Sequence, residues 1–311
     1  MVLPNFSSGA ASKSNMIIVT YRKILFAIIG LITLVSLGAL GVYGLNYGTD
    51  FTGGALVEVK YDVQRPASEA VQAALTDAGL SSVSVRAAGE DVYIVRAAPL
   101  SPQAREALPG AVLGGSIEKL TDIGPSIGSE LRSKAIIAIS LVILCIVLYV
   151  AFVFRKVSKP ISSWWYGLIT IVTLLHDIAV PLGAFAIFGH LWGAQVDTLF
   201  VTAILTILGY SVHDTIVVFD RTRENLRLND EAHRKEDFEL VAGRSVEQTF
   251  VRSVNTSMTT LIALFALFFF GPESTQDFAL TLLIGVVAGT YSSIALATPL
   301  LVTVAKWQKS A

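Results

Sequence analysis

The sequence predicts an α-helical polytopic membrane protein with six transmembrane helices and one small α+β ferredoxin-like extracytoplasmic domain between helices 1 and 2. Of its 311 residues, 53% are hydrophobic and 15% are charged, whereas about 25% are charged in a typical soluble domain. Six segments reach the roughly 20 apolar residues that a spanning helix needs. They cover residues 24–45, 134–154, 161–188, 198–219, 250–270 and 277–305.

The basic residues predict the orientation of these spans, because Lys and Arg concentrate in short cytoplasmic loops. The two loops 190–197 and 271–277 contain neither residue type. Lys and Arg instead flank the opposite ends, at Lys13, Arg22, Lys23, Arg155, Lys156, Lys159, Arg221, Arg223, Arg227, Arg234, Lys235, Arg244, Lys306 and Lys309. The tails 1–23 and 306–311 and the connector 220–249 are therefore predicted to be cytoplasmic. The first apolar run is too long for a signal peptide and is predicted to stay as an anchor.

The segment 46–132 is predicted to fold outside the membrane. Stretches near 55–61, 82–86, 91–96 and 117–120 resemble strands, and helical patterns follow the first and third of them. The resulting βαββαβ order resembles a ferredoxin-like module. Such a domain is either a spacer for assembly or a surface that contacts a substrate. The helices that follow occupy 133–305 and are joined by the connector, which has a short amphipathic helix near 236–241.

Two acids and one arginine lie within the apolar stretches of the predicted spans: Asp177, Asp214 and Arg252. A charge in the hydrocarbon costs about 2.5–3.5 kcal/mol on insertion scales, so such residues usually have a function. Polar residues at helical spacing accompany each of them. The three stripes are Thr170, Thr173 and Asp177; Thr206, Tyr210, Ser211 and Asp214; and Arg252, Asn255, Thr256 and Thr259. All three stripes are expected to face the bundle interior, because lipid offers no hydrogen-bond partners.

Asp214 and Arg252 lie at similar predicted depths, about 22 Å and about 27 Å from the outer ends of their spans at 1.5 Å per residue. A pair at this level can bind and release a proton, because a nearby guanidinium favours the ionised acid and burial favours the neutral one. One path to each side of the membrane would make this a proton-coupling site. A permanent structural ion pair is the alternative, and the hydroxyls alone can serve as hydrogen-bonding contacts between helices.

Asp177 is a further proton-coupling candidate. Pro181 has no N–H for the Asp177 carbonyl, which indicates a wet or protein-lined site. The dipeptides 176–177 and 213–214 both read His-Asp. A metal site is not predicted, because neighbouring helical residues diverge by about 100° and further ligands are not apparent. His213 is either a local polar partner and proton relay or a packing residue.

Three strings carry a family resemblance. Residues 209–221 read GYSVHDTIVVFDR, residues 48–54 read GTDFTGG, and residues 248–252 read QTFVR. In their order along the chain, the three strings closely resemble those of the SecF family of protein translocase subunits, which are similar to one half of a resistance–nodulation–division transporter. In that family Asn commonly precedes the coupling Asp, where this chain has His213.

The resemblance implies a bacterial inner-membrane accessory subunit of the Sec export machinery. It implies SecD, the SecYEG channel, the translocating preprotein and YajC as partners, with membrane lipid around them and no nucleic acid. It implies H⁺ as the coupling ion, with Na⁺ as the alternative, and no cofactor or metal. By motif, Asp214 and Arg252 match the coupling positions. The residues of a hinge-like junction motif are Asp50, Phe51, Thr52, Gly53 and Gly54.

Two other functions are compatible with intramembrane charges. The first is a small-molecule or lipid exporter of the same superfamily, which would use the same kind of intramembrane ion pair. The second is an intramembrane protease in which Asp177 and Asp214 form a dyad. The spans contain no His-Glu-x-x-His, Gly-x-Gly-Asp or Gly-x-Ser-Gly motif. A non-enzymatic transport subunit is therefore the expectation.

Overall fold

The computed structural model describes residues 17–62, 65–155, 161–234 and 236–310. Most of the predicted N-terminal tail, with Lys13, lies outside these ranges, as do Lys156, Lys159 and Lys235. The strands are β1 (Gly54–Lys60), β2 (Ser84–Ala88), β3 (Val92–Ala97) and β4 (Ser116–Ile123). The helices are α1 (Ile17–Thr20), α2 (Arg22–Tyr43), α3 (Thr49–Thr52), α4 (Ser68–Asp77), α5 (Pro102–Ala111), α6 (Pro125–Val153), α7 (Ser163–Trp192), α8 (Thr198–Glu231), α9 (Phe238–Phe270), α10 (Gln276–Ser292) and α11 (Thr298–Ser310).

Six helical segments of the described chain are long and apolar enough to cross a membrane. They are α2, α6, α7, α8, α9 and the stretch Gln276–Gln308, in which a π-helical turn over Ser293–Ala297 joins α10 to α11. Each coincides with one predicted span, so the six-helix fold class is confirmed. Large apolar side chains on α2 and α6, such as Leu34 and Ile137, are exposed in the single chain. These faces suit contact with lipid.

The segment predicted to be the connector 220–249 is mostly helical, which differs from the prediction. Helix α8 continues to Glu231 and α9 begins at Phe238. Asn225 fastens the two extensions, because its Nδ2 donates to Ser245 Oγ at 2.8 Å and to Gln248 Oε1 at 3.0 Å. The C-terminal part of α8 and the N-terminal part of α9 therefore form a helical hairpin.

The α+β domain has the predicted βαββαβ order. Its four strands form one antiparallel sheet in the order β2-β3-β1-β4. Alternate residues of β1 and β3, including Val57, Val59 and Val95, point to one face and pack against Leu75 of α4 and Leu108 of α5. This core is fully buried, so the domain has a hydrophobic interior of its own.

Small residues bring the central helices α7, α8 and α10 together with their neighbours. A Cβ at Gly289 of α10 would lie 2.9 Å from Ser211 Cβ, and a Cβ at Gly285 would overlap the Ile207 side chain. On α7, a Cβ at Gly183 would lie 2.7 Å from the Ser36 carbonyl oxygen of α2. These glycines allow the backbones to approach closely, as small residues do at helix contacts in membranes.

A charged cluster joins three helices at the bundle end opposite the α+β domain. Glu239, in the first turn of α9, accepts a hydrogen bond from Arg22 Nη1 at 2.5 Å and forms an ion pair with Lys306 of α11. An acid at this position also suits the positive end of the α9 dipole. The cluster therefore fixes the register of α2, α9 and α11 at this end.

Candidate functional site in the membrane core

The polar stripe of α7 faces the bundle interior, as the spacing predicts. Thr170, Thr173 and Asp177 have no exposed surface. The two threonine hydroxyls donate to carbonyl oxygens of their own helix, Thr170 to Tyr166 at 2.8 Å and Thr173 to Thr170 at 2.9 Å. The hydroxyls are therefore satisfied locally, and Asp177 is the residue of this stripe that reaches other helices.

Asp214 lies where α8, α9 and α10 meet and is 8% exposed. Ser253 Oγ of α9 donates to Asp214 Oδ1 at 2.5 Å, and Ser293 Oγ donates to Asp214 Oδ2 at 2.5 Å. Ser293 is the first residue of the π-helical turn. Each carboxyl oxygen of Asp214 thus has one serine partner, from two different spans.

Asp177 is held by a second pair of serines. Ser211 Oγ of α8 donates to Asp177 Oδ2, and Ser292 Oγ lies 3.0 Å from the same oxygen. The other oxygen, Oδ1, is buried and has no hydrogen-bond partner among the described residues. The two acids therefore occupy neighbouring sites that share helix α8 and the adjacent residues Ser292 and Ser293.

His176 links three helices beside this site. Its Nδ1 lies 2.7 Å from Thr33 Oγ1 of α2, and its Nε2 lies 2.8 Å from the Tyr291 hydroxyl of α10. The consecutive residues Tyr291, Ser292 and Ser293 thus contact His176, Asp177 and Asp214 in turn. These three residues and Ser253 are not among the predicted site residues, although a Tyr-Ser-Ser string within an apolar span is a visible signal.

The polar stripe of α9 faces outwards, which corrects the expectation that it lines the interior. Arg252, Asn255, Thr256 and Thr259 are all exposed in this chain. Helix α9 instead turns its serine face inwards, because Ser257 Oγ accepts from the Tyr210 hydroxyl at 3.0 Å and lies 2.6 Å from Thr290 Oγ1.

As a result, the described residues contain no Asp214–Arg252 ion pair, and two serines occupy the positions around the acid. Helix α8 is divided in the same way. Ser211 and Asp214 are buried, Tyr210 is half-buried, and Thr206 and His213 are exposed. Within the apolar parts of α8 and α9, polar side chains that include the Arg252 guanidinium are therefore uncovered.

The junction motif joins the α+β domain to the bundle. Gly53 and Gly54 have positive φ angles of 76° and 143°, which favour glycine. A Cβ at Gly53 would lie 2.9 Å from Pro125, and one at Gly54 would lie 2.6 Å from the Ala97 carbonyl oxygen. Phe51 is buried, and Thr52 Oγ1 donates to the Gly48 carbonyl at 3.1 Å. The motif is therefore a tight turn that leads directly into β1.

Charged groups of the sheet dock on the helix ends beside this junction. Arg86 Nη2 of β2 donates to the carbonyl oxygens of Trp192 and Gly193, both at 2.7 Å, at the C-terminus of α7. A cation suits the negative end of a helix dipole. Arg96 of β3 is close enough to Asp50 and Asp197 to interact with them electrostatically, and its burial lowers its pKa.

These features define a class of protein: a multi-pass membrane protein with a small α+β domain and two acidic sites in its membrane core. Residues 111–307 match the family described as "Protein export membrane protein SecD/SecF, C-terminal", and residues 38–64 match "SecD/SecF GG Motif". The chain is 43% identical over 280 residues to the protein translocase subunit SecF of Thermobaculum terrenum, covering 84% of this chain and 85% of the relative. The chain belongs to the SecF family of protein translocase subunits.

One relative is much longer than this chain. The chain is 34% identical to the protein translocase subunit SecDF of Thermus thermophilus, covering 88% of this chain and 36% of that protein. The crystal structure of SecDF from the same organism superposes with a TM-score of 0.78 at 31% identity. That match covers 94% of this chain and 38% of the SecDF chain, so this chain spans well under half the length of SecDF.

Proposed function

We propose that this accessory subunit of the Sec translocase pairs with SecD and uses the proton-motive force to promote export of preproteins across the bacterial cytoplasmic membrane. The observation that carries the proposal is the outward polar face of α9. Arg252 lies on it within a spanning helix and is exposed in the single chain. Because a guanidinium facing hydrocarbon is costly, a second protein has to cover this face.

SecD is the partner that best fits this face. The Thermus thermophilus relative has both parts in its name, SecDF, and the present chain accounts for 36% of its length. A SecD half supplied by a separate chain would cover Arg252, Asn255 and Thr256 with protein. The exposed Thr206 and His213 of α8 would face the same partner or a water-filled path between the two halves.

Rotation of α9 gives this arrangement a proton-coupling mechanism. Arg252 and Ser253 are neighbours, so they point about 100° apart around the helix. In the present state Ser253 donates to Asp214, a partner that both the neutral and the ionised acid can use. A rotation of α9 could turn Ser253 away from Asp214 and bring the Arg252 guanidinium next to it. This change would favour the ionised form of Asp214 and expel its proton. Alternation between the two partners would bind and release one proton.

The junction provides a mechanical connection from this cycle to the α+β domain. Asp50 hydrogen-bonds to Thr198, the first residue of α8, and Asp214 lies further along the same helix. We place the α+β domain on the outer side and the termini in the cytoplasm, from the distribution of Lys and Arg. Movement of α8 would then be transmitted to a domain beside the emerging preprotein, with SecYEG and YajC as neighbouring partners.

An exporter of small molecules or lipids would share the coupling site, but membership of the SecF family favours protein export. A protease dyad is disfavoured because Asp177 and Asp214 each bind a separate pair of serines.

The pairing surface can be tested by placing a photo-crosslinking amino acid at Thr256, which is exposed on α9, and at Ile137, which is 64% exposed on α6. We expect the probe at Thr256 to crosslink to SecD in native membranes and the probe at Ile137 to crosslink only to lipid. Equal crosslinking to SecD from the two positions, or none from Thr256, would contradict the assignment.

A further inference from the structure

Asp177 lies apart from the face that α9 presents to a partner, inside the bundle of this one chain. It has no exposed surface. No Lys or Arg pairs with it in the part of the chain that the structure describes. The titratable groups near it are His176 on its own helix and Tyr291 on α10. His176 in turn lies 2.7 Å from the Thr33 hydroxyl of α2 and 2.8 Å from the Tyr291 hydroxyl. On α8, Asp214 is three residues beyond Ser211, which donates to Asp177. An ionised carboxylate in such surroundings would be a buried charge without a counter-ion, which is strongly unfavourable.

The hydrogen bonds around Asp177 fit a neutral carboxylic acid. Ser292 Oγ lies 3.0 Å from Asp177 Oδ2 and 3.2 Å from the Gly289 carbonyl oxygen. A serine hydroxyl has one proton to donate and lone pairs to accept with. If Ser292 donates to the Gly289 carbonyl, its oxygen can accept a hydrogen bond from a carboxylic O–H at Oδ2, while Ser211 donates to that same oxygen. Every hydroxyl proton then has an acceptor.

The unpartnered oxygen supports the same protonation state. In a carboxylate the negative charge is shared by both oxygens, and each of them accepts hydrogen bonds. Asp177 Oδ1 is buried without a partner among the described residues. The cost of an unpaired oxygen is larger for a charged group than for a neutral one.

We propose that Asp177 is a second proton-binding site, contained within this chain and linked to Asp214 through the adjacent residues Ser292 and Ser293. The inference rests on the proposed proton coupling at Asp214 and deepens it. Ser292 contacts one acid and Ser293 the other, and the π-helical turn begins at Ser293. Single π turns often occur at functional sites. A shift of this turn changes the hydrogen bonds of both acids together, so the proton on Asp177 responds to the state of Asp214.

Infrared difference spectroscopy tests the proposal on the chain reconstituted with SecD in lipid vesicles. A protonated carboxylic acid has a carbonyl stretching band that a carboxylate lacks. We expect one such band at neutral pH to be lost in Asp177→Asn and retained in Glu130→Gln, a control that removes an exposed acid of α6. We also expect its amplitude to change when a proton gradient is imposed. A spectrum of Asp177→Asn identical to the wild type, or a band insensitive to the gradient, would overturn the proposal.

Two further variants keep Asp177 itself and so remain informative if Asp177→Asn does not fold. Ser211→Ala and Ser292→Ala each remove one hydrogen-bond partner of Oδ2, and both should shift the frequency of the band. Ser133→Ala, which removes an exposed hydroxyl of α6, should leave it unchanged. Absence of a shift in both core variants would count against the assignment. The spectra report Asp177 directly, so a failure of coupling at Asp214 would appear separately, as unchanged gradient-driven export in Asp214→Asn.

Discussion

The carboxylate of Asp50 accepts two hydrogen bonds from Thr198, one from its backbone N–H at 3.0 Å and one from its hydroxyl at 2.5 Å. Thr198 is the first residue of α8, and Asp197 before it accepts from the Phe200 N–H at 2.8 Å. Two acids thus satisfy backbone donors at the positive end of one helix. One of them belongs to the junction motif, so the α+β domain is attached to the helix that carries Asp214.

Replacement of Asp50 by Ala should weaken this attachment. The loss of a cap of this kind costs about 1 kcal/mol, and the free N–H of Thr198 adds to the cost because it is partly buried. We expect a lower thermal unfolding midpoint in detergent and reduced gradient-driven export. Asp77→Ala, which removes an exposed acid of α4, is the matched control. Equal midpoints for both variants would show that Asp50 does not hold α8.

Asp197 should make stability depend on pH in the acidic range. Burial, the largest effect, raises the pKa of Asp197 above its ordinary value. The folded state therefore binds more protons than the unfolded state between the two pKa values, and stability falls as pH rises through that window. In Asp197→Asn, which keeps a capping side chain, this part of the decline should disappear. Thermal unfolding measured across acidic pH checks the difference, and parallel curves for the two proteins would contradict it.

Gly183→Ala should destabilise the contact between α2 and α7. The added Cβ would lie 2.7 Å from the Ser36 carbonyl oxygen, so the helices would have to separate, and overpacking of this kind costs about 1–3 kcal/mol. Gly38→Ala on α2 is the control, because no atom lies within 4 Å of its added Cβ. Thermal unfolding in detergent should show a lower midpoint for Gly183→Ala alone. A midpoint as high as that of the control would mean that the contact is looser than described.

The sequence predicts the six spans and the βαββαβ domain well, because long apolar runs and alternating strands follow directly from burial. It also places Thr170, Thr173 and Asp177 in the interior, since that stripe is the polar face of an otherwise apolar helix. The interior face of helix α9 is harder to predict, because Ser253 and Ser257 form a second polar face beside that of Arg252. A single sequence does not show which of the two faces a partner chain.

Two other features were not predictable for physical reasons. The helical extensions after Phe219 and before Phe250 are rich in charge of both signs, a pattern shared by connectors and by solvated helices. Pairs such as Arg221–Glu224 and Arg223–Asp220 stabilise the helix at its surface. The π-helical turn at Ser293 depends on packing around α10 and α11. The alignment of Ser292 and Ser293 with two different acids therefore emerges only in three dimensions.

The most direct test of the account is preprotein translocation into inverted membrane vesicles containing SecD and SecYEG, with the imposed ion gradient varied. We expect a proton gradient to stimulate export by the wild type, and Asp214→Asn and Arg252→Met to export only at the rate seen without a gradient. Asp220→Asn, an exposed acid of the same helix, should behave as the wild type. Full stimulation of the Asp214→Asn variant, or stimulation of the wild type by Na⁺ alone, would contradict proton coupling at Asp214.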